Sequence, residues 1–181
     1  EGVLLEFVKR MFSGQFRMVE HMTCGDNDPL LLYGMETTLQ MHIVEISEPL
    51  RELYVTAYTL PSTSAYIIEG MEKKLAVIFG SFRPRATEQD WALLELATAG
   101  ITRSFMVQPC TEELTMERKL RSYLSSCYKL FDVPAARYEP LIEQILRIDF
   151  APKAREIIAK TVRKVDEDYE AAMAGMDAHI K

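Results

Sequence analysis

The chain is poor in the residues that interrupt helices and lacks the pattern that makes strands. Glycine and proline occur 8 times each in 181 residues, and no segment alternates apolar and polar side chains long enough for a half-buried strand. An all-α fold is therefore expected. No apolar run approaches the roughly 18 residues a membrane-spanning helix needs, and no secretory signal pattern is present. Cysteine is scarce: Cys24, Cys110 and Cys127 are odd in number and show no C-x-x-C spacing. That favours free thiols in a reducing compartment over a disulfide framework, so a cytoplasmic location with no membrane association is expected. Positive charge is also short, with 21 Lys and Arg against 27 Asp and Glu, for a formal charge of −6. A chain of that sign repels a phosphate backbone rather than gripping it.

The common catalytic signatures are missing as well. His21, His42 and His179 follow Met18, Leu39 and Met176 at the third position, so the Glu-x-x-His pair of helical di-iron sites is absent. There is no H-E-x-x-H, G-x-S-x-G, G-x-x-x-x-G-K-[ST] or G-x-G-x-x-G. No metal or cofactor is expected, and an enzyme on this scaffold would need ionisable groups converging in a cleft.

What the chain has is helical periodicity with well-marked starts. Hydrophobic residues make up 48% of it, enough for one domain of this length to bury an ordinary core. Pro29, Pro49 and Pro61 each precede an apolar-periodic run, and Asp28 and Ser47 stand where a cap is needed, so helix, turn, helix, turn, helix is expected from Asp28 to Ile68. A long helix is expected earlier, from Val3 to Met22, closed by the Cys24–Asn27 turn. A fourth runs from about Ser62 to Phe82, a fifth from Thr87 or Glu88, a sixth over Leu114–Phe131, and two shorter ones follow, with a fraying tail after Tyr169. The fifth helix carries two apolar faces, about 110° apart at 100° per residue. Trp91, Leu94, Thr98, Ile101 and Phe105 form one; Leu93, Ala97, Gly100, Ser104 and Val107 form the other. Two apolar faces require two covers, and the small second face lets another backbone come close.

Several side chains invite a ligand reading and an ordinary one together. His42 shares a helical face with Met35, Thr38 and Leu39; it is either a polar anchor in an apolar pocket or a core histidine bonded to backbone. Tyr54, Tyr58 and Tyr66 are core or rim tyrosines or phenol donors to a ligand. Ten methionines suit an adaptable cavity, and equally serve as filler in a bundle. The basic cluster Lys153 to Lys164 is offset by Asp166, Glu167, Asp168 and Glu170 and reads as a solvated face.

The helix order, with Arg51-Glu52-Leu53-Tyr54 running to Ala57-Tyr58, Pro61 with Tyr66-Ile67, and Glu95-Leu96-Ala97 with Ala99-Gly100-Ile101 and Arg103, resembles the C-terminal ligand-binding and dimerisation domain of TetR-family transcriptional regulators. The resemblance implies a single regulatory domain over 1–181, a homodimer, and a small hydrophobic effector. It also implies that DNA is read only through an N-terminal helix-turn-helix module absent from this chain, since Glu1 stands where the connecting helix would begin. A helical protein–protein adaptor or a helical-bundle enzyme are the competing readings. Helical phase and the resemblance together place Met18, Met35, Leu39, Met71, Leu75, Leu94, Ile101 and Phe105 on a cavity wall, with Thr38, His42, Tyr58 and Thr98 as its polar groups. They place Leu93, Ala97, Gly100 and Ser104 of one helix, with Leu120, Leu124, Cys127 and Phe131 of the next, at a two-fold interface.

Overall fold

The computed structural model describes Leu5, Glu6, Lys9 and residues 28–179, with side chains through Lys164 and at Glu167. The long first helix and its Cys24–Asn27 turn, apart from those three residues, lie outside the described residues, as does Met18. The described chain is an all-α multi-helix bundle: α1 (Pro29–Ile46), α2 (Glu48–Ala57), α3 (Pro61–Phe79), α4 (Glu88–Val107), α5 (Met116–Leu130), α6 (Ala135–Leu146) and α7 (Ala151–His179). None of these helices is long and apolar enough to cross a membrane.

The starts follow the capping chemistry. Asp28 accepts a 3.0 Å hydrogen bond from the Leu30 N–H with Pro29 in the first turn, and Ser47 does the same for Leu50 before Pro49. Thr87 and Asp90 form a reciprocal capping box at α4, which satisfies amides that have no partner inside the helix. At α3 the cap residue is Leu60, whose side chain has no acceptor, and the Thr63 hydroxyl donates to the backbone carbonyls of Ala57 and Leu60. That helix ends at Phe79, three residues before the expected Phe82. Arg83 then leaves the helix to bond the Leu130 carbonyl and the Asp132 carboxylate, both at 2.9 Å. The expected fraying tail is helical backbone to His179, in keeping with the strong helix formers Glu170, Ala171, Ala172 and Ala174.

α1 is the centre of the bundle. It is buried on nearly every side, from Leu30 and Leu31 through Tyr33, Gly34, Met35, Thr38, Leu39, Gln40 and Met41 to Ile43 and Val44, and all six other described helices touch it. A helix covered all round is a core helix rather than an amphipathic outer one. An aromatic cluster locks its first half to the rest: Tyr33 meets Phe79 edge-on, Phe79 stacks on Phe131 at 4.0 Å, and Tyr128 stacks on Tyr138. The Tyr128 hydroxyl donates to the Leu30 carbonyl at 2.7 Å.

Gly34 is where α1 meets this cluster most closely. A Cβ there would fall 2.5 Å from both Ile145 Cδ1 and the Tyr128 hydroxyl oxygen, and Tyr128 is tethered to Leu30. Gly34→Ala should therefore destabilise by about 1–3 kcal/mol in denaturant unfolding, although alanine is intrinsically the better helix former by about 1 kcal/mol. A stabilised variant would mean that this close approach is not made.

A buried polar cavity beneath Glu95

Between α1, α3, α4 and α5 lies a small, partly open cavity of about 40 Å³, lined by Tyr33, Thr37, Gln40, Tyr58, Met71, Glu95, Thr98, Ala99, Thr102 and Tyr123. Two of the helices contribute lines of side chains at helical spacing, and α3 and α5 one residue each, Met71 and Tyr123. Tyr33, Thr37 and Gln40 are at i, i+4 and i+7 on α1; Glu95, Thr98 and Thr102 are at i, i+3 and i+7 on α4. Tyr58 follows α2 immediately and reaches Gln40, whose amide nitrogen donates to the Tyr58 hydroxyl at 3.3 Å. Thr102 and Tyr123 share a hydrogen bond of 3.0 Å across α4 and α5. Thr98 spends its hydroxyl on the Leu94 carbonyl.

Two groups in this cavity are left wanting. The Tyr33 hydroxyl finds no oxygen or nitrogen partner, only the neighbouring Cys127 thiol. Glu95 is 3% exposed, and no described residue offers it a hydrogen bond or a counter-charge. Burial pushes its carboxyl up to about 8, so it is protonated at neutral pH. Burial also moves the phenols of Tyr33, Tyr58 and Tyr123 upward and the Cys127 thiol to about 12. Glu95 is thus the one titrating group of the cavity in the neutral range among the described residues. An acid held without a base in a core destabilises the fold, and such positions concentrate at functional sites.

Of the residues expected on the cavity wall, Tyr58, Met71 and Thr98 line it. Met35, Thr38, Leu39 and His42 do not, because they lie on the other side of α1: by helical phase His42 is about 200° from Gln40. His42 stacks instead on Phe150 with centroids 5.7 Å apart, beside the start of α7. Burial lowers its pKa against the opposing pull of Asp149 and Glu45. Leu75 and Leu94 are buried core residues, and Ile101 and Phe105 pack against that core without lining the cavity. Tyr54 is core, and Tyr66 is 41% exposed.

The expected interface residues divide cleanly. Leu120, Leu124, Cys127 and Phe131 are buried within the protomer, which corrects their assignment to an interface: the apolar stripe of α5 is used up by its own core. Leu93, Ala97, Gly100 and Ser104 are all exposed. Leu93 is 59% exposed, the adjoining Leu96 58% and Val107 43%, so the second apolar face of α4 is an uncovered stripe.

A second, shallower groove of about 380 Å³ runs between α1 and α3 past Leu32, Val77 and Ile78, with Glu36, Lys73 and Lys74 beside it. Tyr33 borders this groove as well, but its one acid, Glu36, is only half-buried, whereas Glu95 is buried, which makes the Glu95 cavity the candidate site. Among the described residues no three His, Cys, Asp or Glu side chains come together as metal ligands do.

No family model matches this sequence, and no curated protein or solved structure is significantly similar to it.

Proposed function

We propose that the chain is a small-molecule-sensing domain that self-associates, of the kind found in TetR-like regulators, and that ligand in the Glu95 cavity alters how a DNA-reading module joined to it is presented. The observation that carries this reading is the convergence of four helices on one small cavity whose buried acid, Glu95, is paired by none of the described residues. Ligand sites set a few placed polar groups among apolar side chains, and at about 40 Å³ this one has room for a ligand's head group only. A cavity walled by α1, α3, α4 and α5 also couples to any motion among those helices, which is what a sensor requires.

Self-association is supported by the bare stripe Leu93, Leu96, Ala97, Gly100, Ser104 and Val107 on α4, with small residues at its centre. The same stripe also suits a helical adaptor that binds a different protein, and the assembly state separates the two. A Cβ at Gly100 meets nothing within 4 Å, so the protomer accommodates any side chain there, and a change of mass reports the interface alone. The wild-type chain should sediment as a dimer. Gly100→Arg should be a monomer with unfolding no earlier than wild type, since arginine favours helix over glycine by about 1 kcal/mol, and an isologous contact meets the substitution twice. A monomeric wild type, or a variant that stays dimeric, would remove self-association from the proposal.

A further inference from the structure

We infer that the cavity beneath Glu95 receives the head group of a primary ammonium carried on an apolar tail, an inference that rests on the sensing role proposed above and names its ligand class. Glu95 faces the cavity from α4, buried, and among the described residues none pairs with it. The Tyr33 hydroxyl faces it from α1, also lacking an oxygen or nitrogen partner. Tyr58 and Tyr123 add phenol oxygens with lone pairs to spare, and among the described residues no Lys, Arg or His lines the space. The set is rich in acceptors, contains one acid and contains no base. A cation with several N–H donors satisfies it once Glu95 ionises, an anion finds no positive charge among these residues, and a neutral alcohol leaves the acid as it found it. The 40 Å³ of space holds one or two waters or an ammonium head with its first carbon, so a bulky ring is excluded. The tail leaves past Met71, a half-buried thioether on α3 whose flexibility suits an apolar chain.

Binding carries a proton balance. In the empty protein the carboxyl holds its proton, because burial raises its pKa to about 8. When the ammonium enters, the O–H bond of Glu95 breaks, the proton goes to solvent, and a carboxylate–ammonium pair forms. The other titratable groups facing this point, the phenols of Tyr33, Tyr58 and Tyr123 and the nearby Cys127 thiol, are all pushed upward and keep their protons. One proton per ligand is therefore released at pH 7.

Calorimetric titration of the whole chain with n-hexylammonium chloride, at pH 6, 7 and 8 and in two buffers of different ionisation heat, tests this against n-hexanol and hexanoate. Expected are saturable hexylammonium binding, release of about one proton at pH 7, and affinity rising about tenfold per pH unit below 8. The alcohol and the carboxylate should bind at least about tenfold more weakly. Glu95→Gln, folded by circular dichroism, should lose the affinity and its pH dependence together. Hexanol or hexanoate binding as well as the amine would overturn the ligand class and leave the sensing role standing. Hexylammonium binding without proton release, or unchanged in Glu95→Gln, would place it elsewhere on the protein and overturn the inference. No binding by any of the three, with no uptake of a hydrophobic dye, would overturn the inference and the sensing role together.

Discussion

Glu95→Gln should make the protein more stable at pH 8 and leave it nearly unchanged at pH 5. The wild-type carboxyl titrates near 8 in the fold against an ordinary value of 4.5. A pKa raised by folding contributes stability that is fully present below about 4.5 and is lost as pH rises toward 8, because over that window the unfolded chain sheds a proton the folded chain must keep. At 1.36 kcal/mol per unit, the loss between pH 5 and pH 8 is about 3 kcal/mol. Glutamine has nearly the same shape and no proton to lose, so denaturant unfolding of the two proteins should diverge by about that amount at pH 8. Parallel stability curves across the range would show that Glu95 is solvated and that the cavity is not as described.

The second large effect is expected at Lys119. Its side chain is fully buried on α5, and its ammonium donates to Glu45 Oε2 at 3.1 Å and to the Gln108 carbonyl. Glu45, from the end of α1, also accepts the Cys110 N–H at 2.8 Å and lies 3.7 Å from Arg51. The pair thus pins the connection between α4 and α5 to the central helix. Burial pushes the Glu45 carboxyl up, but the Cys110 amide and Lys119 outweigh it and hold it below its usual range. The staple is therefore present above about pH 4.5 and lost as pH falls through the lowered value. Glu45→Leu leaves a buried ammonium with a carbonyl for company, and should cost about 3–5 kcal/mol in urea unfolding. Adding Lys119→Met should recover most of that loss, because a buried ion pair replaced whole by apolar groups is close to neutral. A single Glu45→Leu within about 0.5 kcal/mol of wild type would mean that solvent reaches Lys119.

Helix class and helix starts were legible in the sequence for physical reasons that act locally. Asp28 before Pro29 and Ser47 before Pro49 cap and begin helices by chemistry that needs no tertiary partner. Of the cavity lining, only Tyr58, Met71 and Thr98 were among the residues expected from the sequence, and the reason lies in α1. On a helix buried on all sides, apolar phase does not say which side faces a cavity, so the Met35, Thr38, Leu39 and His42 side was chosen while the space lies beside Tyr33, Thr37 and Gln40. The available signal was polar rather than apolar: Tyr33, Thr37 and Gln40 on one helix, and Glu95, Thr98 and Thr102 on another, are lines of hydrogen-bonding side chains at helical spacing. Glu95 escaped because a charged residue reads as solvent-facing until its neighbours are known. On α5 a single apolar stripe was assigned to a partner, whereas one stripe is what a helix needs to cover its own core. On α4 the existence of two apolar faces was the informative feature, and the Leu93 face is the one the protomer leaves bare.

The most direct test of a functional cavity beneath Glu95 is the titration of that carboxyl itself, followed by carbon NMR of glutamate-labelled protein assigned with Glu95→Gln. Free protein should give a midpoint near 8, and added n-hexylammonium should drive it well below neutrality as the carboxylate gains its counter-ion. A midpoint near the ordinary 4.5 in the free protein, unmoved by the amine, would contradict both the buried acid and the site built around it.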